Sequence, residues 1–208
     1  MTGILFDLDG TLLNTLDDLH DGVNHALAQL GYPQRTLEEV RLFVGNGARR
    51  LMELAIPEGK NVDEALGVFK TYYDAHCQIK TKPYDGILDV LETLKGKYTL
   101  AIVSNKPDSA VKSLCADYFP GIYALGEASD CPRKPAPDMV YKAMKAIGVD
   151  ACVYVGDSEV DVLTAKNAGV PCLSVLWGFR NREDMDNTYF CEEVSQLTEI
   201  LEEMIHGK

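Results

Sequence analysis

The stretch that decides the fold is residues 4–15, which read ILFDLDGTLLNT. Its apolar beginning is typical of a buried parallel strand. Asp7 and Asp9 follow where this strand is predicted to end, next to a glycine. Ligands of open α/β sheets bind beyond the carboxyl ends of such strands, so the two carboxylates are candidates for a functional site. Taken alone, Asp9-Gly10 is better explained by an ordinary turn, and the later segments of the chain are what favour a functional site.

Further polar residues follow later apolar segments. The run LAIV is followed by Ser104 and Asn105, and the run CVYVG is followed by Asp157, with Asp161 a helical turn further on. Lys134 lies between these segments in a proline-punctuated loop ahead of a predicted helix. Because the carboxyl ends of parallel strands meet at one edge, a doubly wound sheet would bring these residues together.

Each of these later segments also has a purely local explanation. The Ser-Asn pair could form a strand-to-helix turn ahead of Pro107. Ser158-x-x-Asp161 could be a variant capping box at a helix start. Lys134 could be a solvated loop lysine. Their joint order along the chain is what favours a shared site.

These residues form four motifs in chain order: Asp7-x-Asp9, Ser104-Asn105, Lys134, and Asp157 with Asp161. The four motifs resemble those of the haloacid dehalogenase superfamily over nearly the whole chain. The acid at position 9 makes the chain resemble the phosphatase branch of the superfamily, since dehalogenases proper lack an acid at this position. The resemblance implies a Rossmann-like, doubly wound α/β core and a phosphatase. Asp7 would be the nucleophile that forms an aspartyl-phosphate. Asp9 would protonate the leaving oxygen and then activate water.

The same resemblance predicts a magnesium site among the strand-end acids. Mg²⁺ would be held by Asp7, the backbone carbonyl of Asp9 and Asp157, with waters completing its coordination. Asp161 would order those waters or Lys134 from behind.

Phosphate binding is expected from a second group of residues. Ser104 and Asn105 would donate hydrogen bonds to the phosphoryl oxygens, as the family resemblance implies, and Lys134 would supply a cation. Thr11 would orient Asp9 at the substrate. The pair Asn14-Thr15 departs from the Asp-Ser of many relatives, which we expect to affect only a hinge or cap contact.

The chain between the first motif and Lys80 contains no convincing strand and is predicted to be helical. Helices are predicted from Leu16 to Leu30 and over 37–43, 48–55 and 62–80, which gives a helical cap over residues 15–81. Residues 1–14 and 82–208 would form the core. There, helices over 87–94, 108–118, 137–147, 159–168 and 194–205 alternate with strands over 99–103, 122–124, 152–155 and 172–176.

Substrate choice is expected to reside in the cap. Residues 44–50 read VGNGARR, which resembles the cap loop of phosphoglycolate phosphatases. Asn46 starts a predicted helix and could help to present amides to an anion. Arg49 or Arg50 could bind a substrate carboxylate, although either could equally be a surface residue. The expected substrate is therefore a small, phosphoglycolate-like phosphorylated metabolite.

Composition limits the partners of the chain. A formal net charge of −12 argues against nucleic acid, and no segment has the roughly 20 apolar residues of a membrane span. No signal peptide is expected, because Asp7 and Asp9 interrupt a first segment that lacks a basic start. Six cysteines without a CxxC motif are typical of reduced cytoplasmic proteins, and the histidines show no zinc spacing. Either a monomer or a homodimer would fit.

Several alternatives remain open from the sequence. β-Phosphoglucomutases and pyrophosphatases share these motifs and a helical cap. A non-catalytic phosphate-binding protein on the same fold would be expected to lose Asp7 or Lys134, and both are present. A response-regulator receiver domain also groups acids, a hydroxyl and a lysine around Mg²⁺. Its phospho-acceptor lies at a middle strand, however, and it has no helical insert after the first.

Overall fold

A computed structural model describes residues 2–207 and centres on a parallel sheet of six strands. The strands of the chain are β1 (Thr2–Phe6), β2 (Leu13–Asn14), β3 (Lys82–Pro83), β4 (Thr99–Pro107), β5 (Tyr123–Glu127), β6 (Ala151–Gly156), β7 (Cys172–Val175) and β8 (Tyr189–Cys191). The order in the large sheet is β5-β4-β1-β6-β7-β8, so the first strand lies near its centre. The short strands β2 and β3 pair with each other in a separate antiparallel ribbon.

Helices cover both faces of the large sheet. They are α5 (Ile87–Lys95), α6 (Asp108–Tyr118), α7 (Asp138–Ile147), α8 (Glu159–Ala168) and α9 (Leu197–His206). Successive strand residues point to opposite faces, so Ile4 and Phe6 pack with the cluster that includes α5, α6 and α9. Leu5 packs on the other side, with α7 and α8. This arrangement confirms the predicted doubly wound α/β core.

A second group of helices is inserted in the chain between β2 and β3, the two strands of the ribbon. This helical insert comprises α1 (Leu16–Gln29), α2 (Leu37–Phe43), α3 (Gly47–Ala55) and α4 (Val62–His76). It has its own apolar cluster, in which Val23, Leu27, Met52 and Phe69 are buried. Phe179, from the loop after β7, also packs in that cluster and joins the insert to the core.

The ribbon marks where the chain enters and leaves the helical insert. Leu13 pairs with Pro83 and Asn14 with Lys82, close to the predicted limits of the cap. The absence of a strand within the insert agrees with the prediction for the described residues. The division into residues 1–14 with 82–208 and residues 15–81 as separate domains stays a prediction.

The sequence patterns missed several details. The helix predicted to reach Lys80 ends at His76, because the backbone N–H groups of Lys80 and Thr81 donate to the Asp18 carboxylate. Strand β8 was not predicted, since its three residues at the edge of the sheet are too few for a clear alternation. The last helix begins at Leu197, after a 3-10 turn over Val194–Gln196.

Two wider properties of the chain are visible at this level. None of the described helices is long and apolar enough to cross a membrane. All six cysteines are free thiols, and each of them is buried.

Candidate active site

Two neighbouring strands place the central carboxylates. Phe6 of β1 lies opposite Val155 of β6, so both strands end at the same level and Asp7 and Asp157 follow them. The backbone N–H of Asp7 donates to the carbonyl of Val155 over 2.8 Å. Oxygens of Asp7, Asp157 and Asp161 lie within 4.8 Å of one another, and all three residues are buried. This edge of the sheet therefore concentrates negative charge away from solvent.

Lys134 is the cation that partly balances this charge. Lys134 is only 2% exposed, and its ammonium lies 2.8 Å from the Asp7 carboxylate and 2.7 Å from the Asp161 carboxylate. It also donates to the hydroxyl of Tyr154 over 3.1 Å. All three N–H donors of the ammonium thus have acceptors. Although burial disfavours its charged form, the two carboxylates raise the pKa of Lys134 and keep it cationic.

Lys134 alone does not neutralise the three carboxylates Asp7, Asp157 and Asp161. Burial raises the pKa of Asp7 from its usual 3.8 to about 7, and Lys134 opposes that rise. Burial also raises the pKa of Asp157, and the charges of Asp161 and Asp7 add to the effect. Carboxylate oxygens are the donors that Mg²⁺ prefers, so this group of residues fits a divalent cation.

Asp9 points to a different set of partners. Its carboxylate accepts a hydrogen bond from Thr15 over 2.6 Å and forms an ion pair with Lys106 at 2.7 Å. Ser104 donates to the other oxygen over a longer 3.4 Å. The expectation that Thr11 orients Asp9 was wrong in this structure, because the Thr11 hydroxyl donates to Asp157 instead.

The contact with Asp9 changes the interpretation of Asn14-Thr15. That departure from the pattern of relatives was expected to affect only a hinge or cap contact. Thr15 is fully buried at the start of the insert, and its hydroxyl contacts a candidate acid directly. The identity of residue 15 therefore affects the site directly, and either a threonine or a serine hydroxyl could donate this hydrogen bond to Asp9.

Asn105 is fully engaged in holding two loops together. Its amide donates to the carbonyls of Gly45 and Lys134 and accepts from the backbone N–H of Lys134. A side-chain amide has two N–H donors, so none is left for a phosphoryl oxygen in this arrangement. Asn105 thus positions Lys134 and fastens the helical insert, which differs from the expected phosphate contact.

A cleft between the insert and the sheet edge contains most of the predicted residues. Its walls include Asp7, Asp9, Ser104, Lys134 and Asp157, among others. Its volume is about 730 Å³, counting the part open to solvent. The strand-end prediction therefore matches how the structure groups these residues.

Two predicted cap residues do not line this cleft. Asn46 precedes α3 without capping it through its side chain, although the neighbouring Gly47 does line the cleft. Arg49 is exposed and pairs with Asp63 on α4. The structure does not bring the Arg49 guanidinium to the site as a ligand for a substrate carboxylate.

Sequence reasoning missed Lys106, Tyr73 and Arg180, which line the cleft. Lys106 follows Ser104 in β4, and a lysine closing an apolar strand was the available signal. Tyr73 of α4 and Arg180 of the loop after β7 also line the cleft. Neither has a local signal, because each reaches the cleft only through the packing of the insert on the core.

Comparison with known proteins agrees with this geometry. Residues 4–175 match the family described as haloacid dehalogenase-like hydrolase. The phosphoglycolate phosphatase 1 of Pseudomonas aeruginosa is 34% identical over 193 residues, which cover 86% of this chain and 70% of that protein. The phosphoglycolate phosphatase of Cereibacter sphaeroides is also 34% identical, over 87% of this chain and 88% of its own length.

A solved structure extends the comparison to three dimensions. A crystal structure from Lactobacillus delbrueckii subsp. bulgaricus superposes with a TM-score of 0.90 and 38% identity, and covers 96% of this chain and 97% of that one. Its own assignment as a phosphoglycolate phosphatase is a prediction. The chain belongs to the haloacid dehalogenase-like hydrolase family, and within it this protein is a phosphatase.

Proposed function

We propose that this phosphatase hydrolyses a small phosphomonoester of the phosphoglycolate type through an aspartyl-phosphate on Asp7, with Mg²⁺ as cofactor. The observation that carries the proposal is the placement of Asp7. It directly follows the central strand β1, lines the cleft, and lies 2.8 Å from the Lys134 ammonium and within 4.8 Å of an Asp157 oxygen. The names of relatives at 34% identity support the choice of substrate.

Electrostatics explains why the nucleophile needs these neighbours. A carboxylate approaching a phosphate dianion meets a repulsion on the order of 4 kcal/mol per unit-charge pair at 4 Å and an effective dielectric constant of 20. Lys134 already lies 2.8 Å from Asp7 and is held there by Asp161. Its fixed ammonium offsets part of the repulsion without having to reorganise during the reaction.

Asp7, Asp157 and the backbone carbonyl of Asp9 would hold Mg²⁺. The bound ion would supply charge neutralisation and polarise a phosphoryl oxygen. The Asp161 carboxylate already has partners within the protein. It accepts hydrogen bonds from the backbone N–H and the hydroxyl of Ser158 and from the Lys134 ammonium. Asp161, at the start of α8, therefore acts by positioning the Lys134 ammonium.

Asp9 is the group placed to move protons. In the first step an Asp7 oxygen bonds to phosphorus as the bond from phosphorus to the leaving-group oxygen breaks. The protonated form of Asp9 gives its carboxyl proton to that oxygen and is left as the carboxylate that pairs with Lys106. In the second step the Asp9 carboxylate takes a proton from a water molecule, whose oxygen bonds to phosphorus as the bond from phosphorus to the Asp7 oxygen breaks, so that phosphate leaves and Asp7 is restored. Thr15 and Lys106 fix the carboxylate from the side, and the Ser104 hydroxyl reaches both Asp9 and the cleft.

The helical insert acts as a cap over this site. It contacts the core at the cleft through the hydrogen bond from Asn105 to Gly45, while Phe179 packs in its apolar cluster. Opening at the β2–β3 ribbon would admit the substrate, and closure would then exclude bulk water during the reaction.

The test is release of inorganic phosphate from phosphoglycolate, pyrophosphate, β-glucose 1-phosphate and an aryl phosphate, with and without Mg²⁺. We expect Mg²⁺-dependent turnover that prefers phosphoglycolate and that Asp7→Asn reduces by at least about a thousandfold. Asp117→Asn, at an exposed position of α6, is the matched control. Full activity of folded Asp7→Asn would contradict the assignment of the nucleophile.

A further inference from the structure

Beside Asp9, the cleft contains a buried lysine and a buried tyrosine that the reaction above does not fully use. Lys106 is 7% exposed and Tyr73 is 4% exposed. The Lys106 ammonium lies 2.7 Å from the Asp9 carboxylate and 4.9 Å from the centre of the Tyr73 ring. Lys106 comes from the core strand β4 and Tyr73 from helix α4 of the insert, so they meet across the cleft.

The two buried lysines of the cleft differ in how many acceptors they have. The Lys134 ammonium has three, namely Asp7, Asp161 and Tyr154. Among the described residues, Asp9 is the one acceptor at ordinary hydrogen-bond distance from the Lys106 ammonium, and the Tyr73 hydroxyl lies beside that ammonium. An ammonium carries three N–H donors, so Lys106 has donors left for a ligand.

The Tyr73 hydroxyl provides a further donor. It is buried and makes no hydrogen bond of ordinary geometry within the described part of the chain, although the Lys106 ammonium lies close enough to interact with it. Burial raises the pKa of Tyr73, so the phenol stays protonated and able to donate. A buried polar group without a partner costs free energy, and a ligand that accepts from it recovers that cost.

The position of these donors selects the part of a substrate that they would contact. Asp9 must reach the leaving-group oxygen, so groups packed against Asp9 face the substituent attached to that oxygen. The cleft wall next to Tyr73 includes the apolar side chains of Leu19, Leu51 and Phe69. Lys106 and Tyr73 are therefore the buried donors available to an anionic oxygen on the leaving group.

We propose that Lys106 and Tyr73 form a carboxylate subsite, which makes the enzyme prefer phosphate esters of short hydroxy acids over phosphate esters of neutral alcohols. This proposal rests on the phosphatase function proposed above and adds the feature of the substrate that is recognised. It replaces the expectation that Arg49 binds the carboxylate. The two oxygens of a carboxylate match donors that come from two directions.

The first experiment compares phosphoglycolate with ethyl phosphate, which lacks the carboxylate. The readout is the ratio of kcat/KM for the two esters, since a merely structural change lowers both values and leaves the ratio unmoved. We expect Tyr73→Phe to lower this ratio about tenfold, as for a lost hydrogen bond to a charged group. Lys106→Met should lower it further, in addition to any loss on both esters through Asp9.

Two further variants serve as comparisons. Tyr72→Phe makes the same change one residue earlier on α4 and outside this cleft, and it should leave the ratio unchanged. Lys70 lines the exposed rim of the cleft. If Lys70→Met lowered the ratio while Tyr73→Phe and Lys106→Met did not, the carboxylate would be bound at the rim and the proposal would be wrong.

A binding measurement separates this proposal from the proposed function. In the Asp7→Asn background, calorimetry should show tighter binding of phosphoglycolate than of ethyl phosphate, and Tyr73→Phe should remove about a tenfold advantage. Ethyl phosphate turnover that depends on Mg²⁺ and Asp7, with a ratio insensitive to both subsite variants, would overturn the subsite alone. Absence of turnover in the wild type would overturn the phosphatase reaction, while the binding comparison would still decide the subsite.

Discussion

The Arg180 guanidinium donates a hydrogen bond to the backbone carbonyl of Val44 over 2.7 Å, and so joins the loop after β7 to the end of α2 in the helical insert. It also donates to the carbonyls of Arg41 and Leu42. The last carbonyls of a helix lack partners within the helix and attract positive charge. Arg180 thus caps α2 from the core and holds the insert over the cleft.

Replacing this contact should loosen the insert. We expect Arg180→Met to lower the free energy of unfolding by roughly 1.5–3 kcal/mol, as for hydrogen bonds that involve a charged group. Hydrogen exchange should become faster over residues 37–48. Arg182→Met, at a nearby arginine paired with Glu192 at 3.9 Å, is the control. Unchanged exchange in Arg180→Met would show that Phe179 and Asn105 hold the insert without it.

Gly178 should tolerate no side chain. A Cβ atom there would lie 2.4 Å from atoms of Asp157 and 2.5 Å from the carbonyl oxygen of Gly10. Gly178→Ala should therefore displace Asp157, destabilise the protein by about 1–3 kcal/mol and weaken Mg²⁺ binding, as measured by calorimetry.

Gly67 is the contrasting glycine. It lies within α4, and a Cβ atom there would meet nothing within 4 Å. Gly67→Ala should stabilise the protein by about 0.5–1 kcal/mol, because alanine loses less backbone entropy in a helix. Thermal unfolding of both variants checks this contrast, and equal effects would argue against close packing behind Asp157.

Lys134 allows stability to be separated from activity. Lys134→Met should cost about 3–5 kcal/mol of stability, because Asp7 and Asp161 lose their buried counter-charge. Adding Asp161→Asn should recover part of that loss, since asparagine can still accept from Ser158 and carries no charge. Activity should stay lost in the double variant. Recovery of turnover would contradict a direct role for the Lys134 ammonium.

Binding of Mg²⁺ should depend on pH through Asp7. Because burial raises the pKa of Asp7 from 3.8 to about 7, the metal-free folded state keeps a proton there that the unfolded chain has lost. The stability contributed by that proton is lost as pH rises from about 4 to 7. Above pH 7, Asp7 makes no further change to the free energy of unfolding. Mg²⁺ competes with the proton, so it should stabilise the protein more at pH 8 than at pH 5.5.

Two measurements check this coupling. Thermal unfolding with and without Mg²⁺ across this pH range gives the difference directly. Calorimetry in buffers of different ionisation enthalpy should show proton release on Mg²⁺ binding below pH 7. Asp7→Asn should reduce both effects. A Mg²⁺ stabilisation that fell as pH rose would contradict the raised pKa of Asp7.

The fold was predictable because its signals are local. Apolar runs and helical spacing predicted the strands of the sheet except β8, and the ends of those runs located Asp7, Ser104 and Asp157. Parallel strands share one carboxyl edge, so the order of motifs was enough to predict that these residues line one cleft. The edge strand β8 and the β2–β3 ribbon are too short to leave such a pattern.

What the sequence determined by itself is therefore the α/β class, the strand-end acids and the family. Only the tertiary structure decided that Thr15 rather than Thr11 contacts Asp9, and that Tyr73 lies beside Lys106. Hydrophobic periodicity and strand ends report the environment of a residue within its own segment. Which polar atoms meet between the insert and the sheet depends on how the apolar clusters of the insert and of the core pack together, and no single segment carries that information.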